Sequence, residues 1–144
     1  MEDAKLNVIV LGNDPLYIQK FRSALTSMQT ATSKRTAIQT VSKLLLVKAE
    51  DVFACNFDEE CHLWNMRMVD GTEYKLKKQT TAKMILGISP YFAQIRQDRI
   101  INLEYLASIE NYTLRCTFFP PFDQEEAFIS RRCYKAVKEK LEIL

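Results

Sequence analysis

Glycine and proline are scarce in this chain: three glycines and four prolines among 144 residues leave few obligatory breaks in the backbone. Collagen-like, linker-rich and low-complexity architectures are thereby excluded. Histidine occurs once, at His62, and the sequence holds neither a glycine-rich phosphate loop nor a nucleophile elbow, so it offers no familiar enzyme active site. The four cysteines, Cys55, Cys61, Cys116 and Cys133, never form a CxxC pair. Neither a zinc site nor a disulfide framework is supported; buried thiols are expected instead, and no metal or cofactor. Cys61 and His62 are neighbours, which in a strand sends them to opposite faces and makes them a poor nucleophile–base pair. Long apolar runs are missing too. Val8–Leu11 and Leu44–Val47 fall far short of the roughly 18–20 residues that cross a bilayer. Met1-Glu2-Asp3-Ala4-Lys5 lacks the basic start and long apolar stretch of a signal peptide, so the expectation is a cytoplasmic protein without a membrane partner.

What is present is the composition of a globular domain, 47% hydrophobic and 26% charged. Net charge is +2, unevenly placed: residues 1–35 carry five basic and three acidic side chains, and the remainder fifteen of each. A polyanion gains most of its non-specific affinity from phosphate neutralisation. Contact with nucleic acid must therefore come from local clusters in the neutral part.

The chain opens with a short strand over Lys5–Leu11, and Asn13-Asp14-Pro15 starts a helix running to about Met28, with Tyr17, Phe21, Leu25 and Met28 on one face. Residues 26–36, rich in Ser, Thr and Lys, suit a loop. This places a strand–helix accessory segment in residues 1–35 and a separate domain in residues 36–144. Beyond Thr36 the pattern is of strands. Ile38–Ala49, with its Leu44–Val47 run, and Val52–Cys55 read as two buried strands. Trp64, Met66 and Met68 alternate with Leu63, Asn65 and Arg67 as in a half-buried strand, Asp70-Gly71 marks a hairpin, and Tyr74 and Leu76 face inward on the return. Thr80–Leu86 fits a short helix ended by Gly87. Ile95 and Ile100-Ile101 suggest short extended pieces, and Tyr112–Phe119 alternates until Pro120-Pro121 stops it. Glu126–Ile129 returns, and Ser130 caps a final helix through Leu144 with Tyr134, Val137, Leu141 and Leu144 in one stripe. Trp64, Met66, Met68 and Phe118 are expected in the core, and Asn102 as a structural amide at a turn. The expected fold is mostly β (α+β): antiparallel sheets with short helices.

Several landmarks occur together and in order. They are Glu50-Asp51-Val52-Phe53, the hairpin Val69-Asp70-Gly71, the block from Tyr91-Phe92 through Arg96-Gln97-Asp98-Arg99 to Ile100-Ile101-Asn102, and Ile129-Ser130-Arg131-Arg132-Cys133-Tyr134. Their order and spacing resemble the LytTR family of DNA-binding domains over about 105–110 residues. The segment Asn7–Tyr17 resembles the opening β-α unit of a response-regulator receiver, but with the single acid Asp14 and no length for the phosphoacceptor strand, so no phosphorylation switch is expected.

The LytTR resemblance implies elongated small β-sheets that read double-stranded DNA with loops entering successive major grooves, where base edges carry a distinguishable code. Carried over position by position, it implies base contacts from His62, Gln97 and Arg132 and phosphate contacts from Arg131, Arg96, Arg99, Lys77, Lys78 and Ser130. It further implies a bacterial transcription regulator paired as a homodimer at least on DNA, with residues 1–35 free to engage a protein partner. Departures from the pattern support another reading. Ala93-Gln94 and Arg96-Gln97-Asp98 replace more basic residues, and the acidic run Asp58-Glu59-Glu60 precedes His62 in the loop that approaches DNA, unless it is simply a solvated face. The alternative is a protein-interaction module or antagonist that no longer binds DNA tightly.

Overall fold

The computed structural model of the protein describes residues 35–143. The strand expected at Lys5–Leu11, the helix to Met28 and the receiver-like Asp14 lie outside the described residues. The described chain contains β1 (Arg35–Gln39), β2 (Leu44–Lys48), β3 (Val52–Asp58), β4 (Leu63–Met68), β5 (Glu73–Lys75), α1 (Ala82–Leu86), β6 (Phe92–Arg96), β7 (Arg99–Asn102), β8 (Leu106–Ile109), β9 (Arg115–Phe118), β10 (Ala127–Phe128) and α2 (Arg131–Glu139). The fold is mostly β. A five-stranded sheet has the order β5-β4-β3-β7-β6, a three-stranded sheet the order β10-β9-β8, and β1 and β2 pair separately. Neighbours within the two larger sheets are antiparallel.

The alternation in β4 does what its period dictates: Trp64, Met66 and Met68 are buried, and Leu63, Asn65 and Arg67 lie half-exposed on the other face. In β3 the period breaks. Val52 pairs with Met68 and Ala54 with Arg67, so Phe53 is the extra residue of a bulge and falls on the same side as Ala54. Val52 and Cys55 fill the opposite side. One strand thus feeds two cores. On one side Phe53 stacks on Phe122 with centroids 3.8 Å apart and meets Phe118 edge-on at 5.2 Å, joining Ile95, Ile101 and Val137 between this sheet, the three-stranded sheet and α2. On the other, Met66, Leu76, Phe92 and Ile100 pack against Ile38 of β1, Val47 of β2 and Ile85 of α1. Asn102 is buried and satisfied: its amide donates to the Ala49 and Val52 carbonyls at 3.2 and 2.8 Å and accepts from Glu104 N–H at 3.0 Å.

Several expectations need correction, among them the strand read over Tyr112–Phe119, which begins only at Arg115 because Leu114 N–H closes a turn on the Glu110 carbonyl. Ile38–Ala49 is two strands, because the Thr40 hydroxyl accepts the N–H groups of Ser42 and Lys43 and closes a turn there. Leu44 and Leu46 are about 60% exposed while Val47 is buried, since β2 offers only one face to the core. The final helix ends at Glu139: Lys140 N–H turns back to the Val137 carbonyl, and Lys140 Nζ reaches the Phe92 carbonyl at 2.7 Å. Among the cysteines, Cys55 and Cys116 are buried, with burial pushing their thiols up to about 12 and about 11, whereas Cys61 is exposed.

The registers gather several turns at one end of the domain. Phe57 N–H donates to the Asp98 carbonyl at 2.9 Å, joining the β3–β4 turn to the β6–β7 turn. Ser130 N–H donates to Ile95 and Ile129 N–H to Leu114, at 2.8 and 2.9 Å, so the start of α2 and the β8–β9 turn come to the same end. The Asp70-Gly71 turn lies at the other end of β4.

Candidate nucleic-acid interface

Each loop at this end is fixed by local chemistry. In the β3–β4 turn the Asp58 carboxylate accepts Glu60 N–H at 2.9 Å and lies 3.7 Å from Lys75 Nζ. These bonds, the backbone one foremost, hold its pKa below the ordinary value. His62 N–H closes the turn on the Asp58 carbonyl at 2.7 Å, which puts His62 in the left-handed region at φ 57° with its side chain exposed. Its ring lies 6.2 Å from that of Phe57, which meets Trp64 edge-on at 5.6 Å.

The β6–β7 turn is pinned at several points. Ile95 is a bulge residue, so Gln94 pairs with Ile100 and Arg96 with Arg99. Gln94 Nε2 donates to the Gln97 carbonyl at 3.2 Å, and Arg96 Nε approaches Asp98 Oδ1 at 3.4 Å. Gln97 is left exposed at the tip. At the start of α2 the Ser130 hydroxyl accepts Cys133 N–H at 3.2 Å, the N-cap expected of it, and Arg131 and Arg132 are both exposed on the first turn. Two arginines there oppose the helix dipole, and Arg132 makes no ion pair among the described residues.

These loops enclose an open cleft of about 940 Å³. Its walls bring together Arg96, Gln97, Ser130 and Arg132 of the sequence-expected set, over a floor that includes Phe57 and Trp64. Glu59 and Asp98 add two carboxylates to the lining. His62 stands beside the cleft against Phe57. Arg131 is exposed on the same helical turn but is not part of the lining. Lys77 and Lys78 are exposed beyond β5, where Lys77 N–H donates to the Gln39 carbonyl at 3.0 Å, and are not part of the cleft lining.

Arg99 is set apart more firmly. Alternation in β7 puts it on the face of Ile101, and it is not part of the cleft lining. There it is half-buried near Arg67 and Glu125, which pair at 2.8 Å; its Nε is buried without a hydrogen-bond partner among the described residues, and burial lowers its pKa. Gln94 is the site residue that sequence reasoning missed. Its partner is a backbone carbonyl three residues on, for which side-chain pattern gives no signal.

No family model and no curated protein matches the sequence. Solved structures match its fold. One is the LytTR DNA-binding domain of a Bacillus cereus protein described as a methyl-accepting/DNA response regulator. It superposes with a TM-score of 0.57 at 11% identity, covering 76% of this chain and 97% of that one. The protein has the LytTR fold. Among the described residues no helix is long and apolar enough to cross a membrane, and no cluster of His, Cys, Asp and Glu is arranged to hold a metal ion.

Proposed function

We propose that the protein is a bacterial, cytoplasmic transcription regulator that binds double-stranded DNA without enzymatic chemistry and reads base edges in successive major grooves through loops. The observation that carries this is the convergence of Gln97 and Arg132 on one cleft, with His62 at its edge, at the end where the turns of a LytTR fold gather. The Arg132 guanidinium suits guanine O6 and N7, the Gln97 amide suits adenine, and the His62 imidazole can donate to or accept from a base edge. Arg96, Arg131, Lys77, Lys78 and Ser130 contact phosphates and set register. Residues 36–144 form the DNA-binding domain, pairing on DNA with a second copy, and residues 1–35 are an accessory segment for a protein partner.

A second reading has its own observation. Asp98 already engages Arg96, and Glu59 faces the same cleft, so two carboxylates oppose any phosphate there. This favours a protein-interaction module that has given up tight DNA binding. Fluorescence anisotropy with duplexes from the protein's own promoter, at two salt concentrations, separates the readings. Sub-micromolar binding that weakens steeply with salt supports DNA reading, and absence of binding at low salt supports the module.

A further inference from the structure

The β8–β9 turn, Glu110 to Leu114, carries the most exposed large apolar or aromatic side chain among the described residues: Tyr112 is 91% exposed. Its backbone is left-handed, φ 71°, a conformation that crowds the Cβ of any L-residue and that bulky residues rarely adopt. Leu114 is left-handed too, at φ 59°, but its side chain is buried in the core beside Cys116 and Ile129, so packing accounts for it. No packing accounts for Tyr112. Asn111, the residue type that tolerates such a seat, stands one place earlier. The turn itself is firmly held, with Leu114 N–H on the Glu110 carbonyl at 3.0 Å and Glu110 N–H on the Arg115 carbonyl at 2.8 Å. A strained backbone that presents a large side chain to water is a mark of function.

Position says which function. Through the bonds from Ile129 to Leu114 and from Ser130 to Ile95, the chain entering α2 lies between this turn and the end of β6, so Tyr112 stands at the cleft end. Among the described residues the other exposed non-glycine residue with positive φ, His62, stands at that end too. Around Tyr112 the charges are already engaged: Arg115 holds Glu110 at 3.1 Å and Glu126 at 2.6 Å, and the Thr113 hydroxyl donates to Glu110 at 3.0 Å. What the tip offers outward is a phenol, a neutral donor on an apolar ring, suited to a phosphodiester oxygen and the deoxyribose beside it.

We infer that the Glu110–Leu114 turn is an additional contact to the DNA backbone, with Tyr112 donating its hydroxyl to a phosphate flanking the bases read at the cleft. The inference rests on the proposed DNA-binding function. A neutral donor displaces no counterion and touches no base, so Tyr112 adds affinity on any sequence without steepening the salt dependence.

The test uses the full chain, Tyr112→Gly and Tyr112→Phe, anisotropy on promoter and scrambled duplexes at two salt concentrations, and thermal melts. Tyr112→Gly is expected to melt a few degrees higher, since glycine takes the seat freely, yet to bind both duplexes about tenfold more weakly with an unchanged salt slope. Tyr112→Phe keeps the wild-type melting temperature and loses about threefold on both duplexes. A gain in stability with a loss of binding cannot come from damage to the fold. Variants that bind as tightly as wild type overturn the inference alone, and a loss confined to the promoter duplex overturns the backbone assignment. Weakened self-association with DNA affinity intact overturns it in favour of a second copy. A wild-type protein that binds no DNA at low salt overturns it together with the proposed function.

Discussion

Asp58 and Asp70 each open a turn at one end of β4, and each carboxylate accepts a backbone N–H two residues on, from Glu60 and from Thr72, both at 2.9 Å. Each turn also contains a left-handed residue. At the far end it is Gly71, φ 93°, with open space where a Cβ would stand; at the cleft end it is His62, φ 57°. The far turn meets its conformational demand with the residue that meets it without strain. The cleft turn meets the same demand with a hydrogen-bonding side chain, at a cost of roughly 1–2 kcal/mol in backbone strain. Backbone economy governs the end that only has to reverse the chain, and side-chain chemistry governs the end that faces the cleft.

The largest effect belongs to neither turn. Phe53→Ala should remove about 3–5 kcal/mol, as deletion of a large core aromatic does, and should melt both ends together. Urea unfolding followed by tryptophan fluorescence checks this, and a loss under about 1 kcal/mol would mean the two cores are not joined through the bulge. Next come the neighbours at the start of α2. Arg132→Ala should cost about 1–3 kcal/mol on the promoter and relax preference at one base position. Arg131→Ala should weaken promoter and random DNA alike and reduce the salt slope by about one unit. Matched titrations that show equal losses for both would reduce the pair to a cationic anchor.

The sharpest test of the two turns is reciprocal. Gly71→Ala should destabilise the fold by about 1 kcal/mol and leave DNA affinity alone, whereas His62→Gly should stabilise it by up to about 1 kcal/mol and erase a base preference. The same sign of stability change in both would break the contrast. The smallest effect is one the turns share. Both aspartates have folded pKa values lowered below 3.8, chiefly by backbone hydrogen bonds, so both contribute stability above their unfolded values that is lost as pH falls through the lower folded ones. Asp58→Asn and Asp70→Asn should each flatten the acid limb of the stability curve below about pH 5 by a similar amount, measured by urea midpoints along a pH series.

The legible parts of the fold were those where one rule acted alone. Trp64, Met66 and Met68 kept a period of two on one buried face, Asp70-Gly71 and Ser130 performed the turn and cap their chemistry favours, and β9 ends at Phe118, just before Pro120-Pro121. Bulges hid the rest. Val52–Cys55 shows no alternation because Phe53 is inserted and both faces of β3 are covered, and β6 appeared only as a fragment around Ile95 because that residue is itself a bulge. In the site, Gln97 and Arg132 came from the family resemblance, since an exposed glutamine or arginine carries no mark of its own. Arg99 looks like its neighbour Arg96 in sequence, and the register pairs the two; what separates them is burial, for Arg96 is exposed while Arg99 is half-buried near Arg67 and Glu125.

The attachment of α2 has a consequence for assembly. β6 is an edge of the five-stranded sheet, and an uncovered edge is a template on which another chain can add a strand. Here the Phe92 carbonyl is taken by Lys140 Nζ and the Ile95 carbonyl by Ser130 N–H, groups from opposite ends of the same helix. The helix therefore acts as a guard rail against strand-by-strand polymerisation. Copies at high local concentration can sit close without zipping into a continuous sheet at this edge.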